Sequence, residues 1–366
     1  MLPPTADRPK LIAILDQLAG AVEELLLGGL TTASDATKQT VHAAMQEAAR
    51  FKLLRLGSAL RVTAEELGRF TKQDPGFSRR RLSFFLNRSW LLARGLSHAL
   101  QASDESQYDR LNWSPPTTPV ESVDVVCLGA VKKVAAGAFV AFDFRLRDIA
   151  TNQRLTWSAV FPVKPGVDIP PEGFLHLPQK QKFPASVFLE QKTLTIRNAA
   201  VTADESAGRI TLNEQSTVTL GDQFTDWARF LDWSREPPVE RIANHKPGPL
   251  DLETELQEEV VLREYQIDPA ENGDEPVQAV YRIMAGQLQF HAVASQAAEG
   301  KTLRKSLDDL RKAKKDRPPL YGLMHYERCR LVFQPLTAFT QDGPEYLPIS
   351  KENVNKAALL KAMKFT

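Results

Sequence analysis

Ala138-Phe139-Val140-Ala141-Phe142-Asp143-Phe144-Arg145-Leu146-Arg147 alternates in two registers. Ala138, Val140, Phe142, Phe144 and Leu146 form an apolar set, and Phe139, Ala141, Asp143, Arg145 and Arg147 form a mixed one. A period of two with one apolar face predicts a half-buried strand. Ala150-Thr151-Asn152-Gln153 turns the chain, and Leu155, Trp157, Ala159 and Phe161 return it. Upstream, Val123, Val125, Cys127 and Gly129 suggest another strand. Residues 162–184 carry six prolines and read as a long ordered loop, because proline cannot donate to a sheet ladder. Leu194, Ile196 and Val201 then lead into Asp204-Glu205-Ser206-Ala207-Gly208, a hairpin signal. Ile210, Leu212, Val218 and Leu220 complete a second pairing, and Phe224, Trp227, Phe230 and Leu231 suggest a closing helix or turn.

Two hairpins, a long connection and a capping segment resemble the five-stranded plan of an OB-fold over residues 120–235. That resemblance implies a binding platform more than a catalyst. A small β-sandwich would write a similar pattern.

The flanks read differently. Leu11, Ile14, Leu15, Leu18, Val22, Leu25 and Leu26 recur at helical spacing, and Gly28-Gly29 closes that segment. A second helix is expected from about Ser34 to Leu60. Thr63-Ala64-Glu65-Glu66 has the form of a capping box. A last helix is expected from about Ser78 to Ala102. The expected fold is multidomain α+β. It has an N-terminal helical bundle (1–103), a proline-rich linker (104–119) and the OB-like β-barrel (120–235). A second linker (236–250) leads to an α+β C-terminal region (251–366). In that last region Val277, Ala279, Tyr281 and Ile283 alternate, with Leu288 and Phe290 on a partner strand. Leu303, Leu307 and Leu310 mark a helix, Tyr321 to Leu336 reads as strand and turn, and Asn353 to Phe365 as a short terminal helix.

A formal net charge of +1 over 366 residues supplies no global field for nucleic acid or membrane. No run of apolar residues is long enough to span a bilayer. Two cysteines, Cys127 and Cys329, favour a reducing cytoplasm over a disulfide framework. No phosphate-binding glycine loop, H-E-x-x-H, G-x-S-x-G or paired C-x-x-C motif occurs, so no cofactor or metal is expected. His325 and Cys329 lie four apart, but no second pair of ligands accompanies them. An enzyme whose residues converge only in space stays a third reading.

Charge is segregated locally. Between Arg50 and Arg94 eleven Lys or Arg face only Glu65, Glu66 and Asp74. Arg79, Arg80 and Arg81 sit at a helix start, where the dipole disfavours cations. That placement, with Arg88 and the interleaved Phe84, Phe85 and Trp90, points to an acidic partner or a phosphate backbone. Residues 251–275 are the converse, with ten Asp or Glu against Arg263 alone. Residues 301–317 are basic again, and Lys312 and Lys315 are contact candidates there. The 120–235 segment is neutral, with thirteen residues of each sign. Arg145, Arg147, Arg154 and Arg197 are nevertheless expected to gather on its outer face. Phe139, in the same register as Arg145, is a stacking candidate, or else packs under the proline-rich loop.

Arg330-Leu331-Val332-Phe333-Gln334-Pro335-Leu336 and Phe84-Phe85-Leu86-Asn87-Arg88-Ser89-Trp90-Leu91-Leu92 are similar to accessory proteins encoded beside MoxR-type ATPases and von Willebrand A proteins in bacterial SWIM-type clusters. That similarity implies a non-catalytic member of a multi-protein assembly containing an ATPase. The leading expectation is therefore an accessory or scaffold protein binding a partner through basic helices. A nucleic-acid-binding protein is the alternative.

Overall fold

The computed structural model describes residues 2–30, 34–74, 77–112, 117–135, 139–163, 169–177, 183–202, 208–231, 250, 257–273, 278–297, 300–313, 317–327 and 330–350. The chain divides into two compact units, residues 1–116 with 248–251, and residues 117–247 with 252–366. The first is helical and the second carries two sheets.

Among the described residues the first unit is built from the helices α1 (Arg8–Gly28), α2 (Asp35–Arg50), α3 (Leu54–Thr71), α4 (Arg79–Gln101) and α5 (Glu105–Asn112). Leu11, Leu15, Leu18, Val22 and Leu25 of α1 meet Leu82, Leu86, Leu92 and Leu96 of α4 in one core. The single helix expected over 34–60 is two helices. Lys52, at φ 55°, ends α2 in the left-handed region, and the Leu53 amide turns back to the Ala48 carbonyl at 2.7 Å. Ser34 and Ser78 cap α2 and α4 by accepting from the amides of Thr37 and Arg81, each at 3.2 Å.

The capping box expected at Thr63–Glu66 does not form, because those residues lie inside α3. Thr63 Oγ1 donates to the Ala59 carbonyl instead. Glu66 serves the α3–α4 joint: its buried carboxylate accepts from the Ser78 amide at 2.8 Å and from Arg69 at 2.6 Å. The expected linker 104–119 contains α5 and the start of a strand.

In the second unit the first sheet comprises β1 (Thr117–Ala135), β2 (Phe139–Asp148), β3 (Arg154–Pro162), β4 (Lys192–Thr202), β5 (Gly208–Thr211) and β6 (Thr217–Gln223). Its pairings run β1-β2-β3-β5-β4 and return from β4 to β1, so five strands form a ring, with β6 added beside β4. All of these pairings are antiparallel except β3 with β5. Strand β1 is long because its first half serves β4 and its second half β2. Of the inward set predicted for β2, Val140, Phe142, Phe144 and Leu146 are buried, with Phe144 stacked on Trp157 at 5.3 Å, and Ala138 lies outside the described residues.

The C-terminal half repeats this plan. Its strands are β7 (Glu258–Leu262), β8 (Tyr265–Ile267), β9 (Glu271–Asn272), β10 (Gln278–Ala285), β11 (Leu288–Ser295), β12 (Leu320–Glu327), β13 (Arg330–Thr340) and β14 (Gly343–Tyr346). A short helix, α6 (Ala228–Leu231), precedes them, and α7 (Lys301–Lys312) stands between β11 and β12. Glu264, at φ 48°, bends the chain between β7 and β8. One broken strand thus pairs with β12 through β7 and with β10 through β8. The order is again first-second-third-fifth-fourth, with the third strand β11 parallel to the fifth, β13. The two halves share a strand order that no sequence repeat announces.

The rings dock through one seam. Val126, Leu128 and Val131 of the first pack with Val261, Tyr321, Leu323, Leu336 and Phe339 of the second and with Trp227 and Phe230. A register shift between Cys127 and Gly129 takes Leu128 out of the ladder. Its carbonyl accepts instead from Thr337 Oγ1 at 2.7 Å, and the Cys127 carbonyl accepts from the Tyr346 hydroxyl at 3.1 Å. Gly129 allows the approach, since a Cβ there would lie 3.0 Å from Leu336 and from Tyr321.

Candidate functional site

The outward residues of β2 and β3 were expected to gather cations on an open face. Arg145, Arg147 and Arg154 gather there, but the face is covered, and Arg197, expected with them, is not in the cluster. Arg145 and Arg147 are only 4% and 2% exposed. Arg147 donates to Glu259 at 2.7 Å and Arg145 to Gln257 at 2.9 Å, while Arg154 meets Glu258 at 3.4 Å. The acidic start of the second ring therefore neutralises Arg147 and Arg154, while Arg145 has the neutral amide of Gln257 as its hydrogen-bond partner. A buried guanidinium without such a partner would carry a large desolvation cost. Burial, together with the charge of Glu259, also pushes the Tyr321 phenol well above its usual range.

Beyond the seam the first ring's outer face is open. Phe139 lies opposite Pro162 and is partly exposed rather than packed away, with Val160 exposed nearby. Lys133 pairs with Asp143 at 2.9 Å. Burial raises the Asp143 carboxyl, but Lys133, Ser158 and Arg145 together outweigh it and hold that carboxyl below its ordinary 3.8. Arg197 is exposed on β4, opposite Ser122 and Thr217.

The corresponding face of the second ring is accessible. On β10, Ala279, Tyr281 and Ile283 point into the core, so Val280, Arg282 and Met284 point out. On β11, Phe290, Ala292 and Ala294 point in, so Gln289, His291 and Val293 point out. Register places Arg282 opposite His291, His291 beside Val332, and Val332 opposite His325. One cross-strand row thus carries Arg282, His291 and His325 over four strands. Arg282 is bridged to Glu271, and Gln289 Nε2 lies 3.0 Å from His291 Nε2. Gly286, at φ 60°, makes the two-residue turn between β10 and β11. Because β11 and β13 run parallel, that turn lies on the same rim as exposed Arg330 and as Tyr326, which is 68% exposed. Tyr326 alternates with outward His325 and shares the register of buried Met324, so it reaches solvent at the rim and not on the row itself. A cation and an aromatic at one rim can hold a phosphate and stack a base.

In the helical unit Arg79 and Arg80 are exposed, and Arg88 is half-buried. Arg81 lies 2.9 Å from Glu66, so an internal carboxylate answers one of the three cations at this helix start. On α7, Lys312 is exposed and lies 3.6 Å from Asp309. Lys315, Cys329 and the expected terminal helix 353–365 fall outside the described residues. Sequence reasoning did not single out Arg282, His291, Arg330 or Tyr326 as contacts. The alternation around Tyr281 and Ile283 signals the strand and hence its outward register. Which residues of the four strands share a row depends on pairing that no local pattern writes.

Among the described residues no helix is long and apolar enough to cross a membrane. No family model matches the chain, which leaves the similarity to MoxR-associated accessory proteins without support. No curated protein matches it. Among solved structures the chain is similar to the Ifi202 HINa domain in complex with a 20-bp dsDNA. Identity there is 11%, over 60% of this chain and 94% of that one, with a TM-score of 0.31. It is also similar to a murine DNA-binding protein bound with double-stranded DNA. That identity is 8%, over 59% and 90% of the two chains, with a TM-score of 0.25. At these values the likeness decides neither the fold nor the ligand of this chain.

Proposed function

We propose that the chain is a non-catalytic nucleic-acid-binding protein built on two OB-type barrels in tandem, with the open outer face of the second barrel as its contact surface. The order first-second-third-fifth-fourth, closed on the first strand, is the reason for reading each ring as such a barrel. In barrels of this type the second and third strands carry the ligand face. One observation carries the functional reading: β10, β11, β12 and β13 present Arg282, His291, His325 and Arg330 on an accessible face whose rim holds exposed Tyr326. In this reading Arg79, Arg80, Arg88, Arg197, Lys312 and Lys315 are further phosphate contacts. Phe139 is a second stacking group. Arg145, Arg147 and Arg154 act inside the protein.

Fluorescence polarisation with labelled single- and double-stranded DNA and RNA, titrated with salt, tests it. Binding is expected at low salt and should weaken log-linearly as salt rises. Arg282→Ala and Arg330→Ala should each reduce the salt slope by about one. Arg145→Ala should leave the slope unchanged. Absence of binding at low salt to all four probes would overturn the proposal.

A further inference from the structure

The helical unit carries exposed apolar side chains on α1 and α4 that the site above does not use, although Arg80 beside them is one of its proposed phosphate contacts. Helices α1 and α4 lie antiparallel: Ser97 donates to Asp16 at 2.8 Å, and Trp90 and Arg94 donate to Glu23 at 2.7 and 2.9 Å. Those bonds fix which stripe of each helix borders the other. One turn beyond Glu23 on the same stripe of α1 stands Leu27, which is 90% exposed, with exposed Leu26 beside it. Stepping back from Arg94 along the outer stripe of α4 gives Leu91, Asn87, Phe84 and Arg80 at three- and four-residue spacing. Phe84 is 53% exposed, though it touches Phe85 edge-on at 5.1 Å. At a rise of about 1.5 Å per residue, Leu27 and Phe84 stand at nearly the same level of the α1–α4 face.

Charge is arranged asymmetrically about this apolar pair. On α1 the residues below Leu27 are acidic, namely Glu23 and exposed Glu24; on α4 those beyond Phe84 are the exposed Arg79 and Arg80. A two-fold axis normal to the face, passing between Leu27 and Phe84, lays Arg80 of one copy over Glu24 of the other, twice. It also brings the four apolar side chains together at the centre. A surface that complements itself under a two-fold is what an isologous dimer requires.

We propose that the α1–α4 face is a self-association surface, and that its partner is a second copy of this chain. Leu27 and Phe84 form the dry centre, and Glu24 and Arg80 cross-pair at the rim. This reading does not depend on any ligand of the second barrel.

Sedimentation velocity of the full chain over a wide concentration range, at low and moderate salt, tests it. A monomer–dimer equilibrium is expected. Leu27→Asp and Phe84→Asp, each helical by circular dichroism, should raise the dimer dissociation constant more than about tenfold. Arg80→Glu alone should weaken the dimer, and adding Glu24→Arg should restore it, which a merely folding-related effect would not do. A chain that stays monomeric throughout overturns the proposal. So does a dimer indifferent to Leu27→Asp and Phe84→Asp, or a monomer that co-sediments with phosphatidylserine vesicles through Leu27 and Phe84.

Discussion

The two rings share one strand order and differ in what their outer faces touch. In the first, a register shift at Cys127/Gly129, a glycine and two arginines make a face that accepts another sheet. In the second, the same strand positions carry Val280, Arg282 and Met284 against Gln289, His291 and Val293, and that face stays accessible. Topology therefore does not decide whether such a face binds a ligand or a neighbouring ring. The outward register does, because inward residues are apolar in both rings.

The contrast is most exposed to test at the clamp. Glu259→Ala leaves Arg147 buried without its carboxylate, and urea denaturation should show a loss of about 3–5 kcal/mol. Arg147→Met with Glu259→Leu should recover most of it. A loss under about 1 kcal/mol for Glu259→Ala would mean water reaches the pair and the seam is not dry. A smaller effect separates the two faces directly. Gly129→Ala puts a methyl group against Leu336 and Tyr321 and should cost about 1–3 kcal/mol in thermal unfolding. Val293→Thr on the open face should stay within about 0.5 kcal/mol. Equal costs would erase the distinction.

The smallest effect belongs to Asp143, a largely buried carboxylate in the outward register of β2 beyond the seam. Its carboxyl is held below its unfolded value. Its stabilisation is thus complete above the unfolded pKa and is lost as pH falls through the folded one. Asp143→Asn should lower stability near neutrality, and the gap to the native protein should close in acid unfolding as pH falls through the lowered pKa of the folded carboxyl. A gap that persists at lower pH would mean the aspartate acts through packing.

Much of the local structure was legible. The alternation from Phe139 to Arg147 marks β2, Val22 and Leu25 mark α1, and Leu303, Leu307 and Leu310 mark α7. The second ring was not legible as a ring. Its first strand begins Glu258-Glu259, which reads as solvated charge until Arg147 and Arg154 are placed opposite. A bend at Glu264 splits that strand, and α7 separates the third strand from the fourth. Its closure depends on contacts far apart in sequence, which periodicity does not encode. The same limit explains the candidate site. Arg145 and Arg147 hold the outward register of β2, yet outward from one ring is inward for the pair.

The clamp also has a consequence for synthesis. Arg147 and Glu259 are separated by 112 residues. At about 5–20 residues per second, the first ring waits roughly ten seconds for the strand that covers it. During that interval Val126, Leu128 and Val131 lack their cover, beside Arg147 and Arg154, whose acidic mates Glu259 and Glu258 are not yet made. A nascent chain halted near residue 235 would present a sticky, cationic sheet to its surroundings. The first ring is the half made first and finished last.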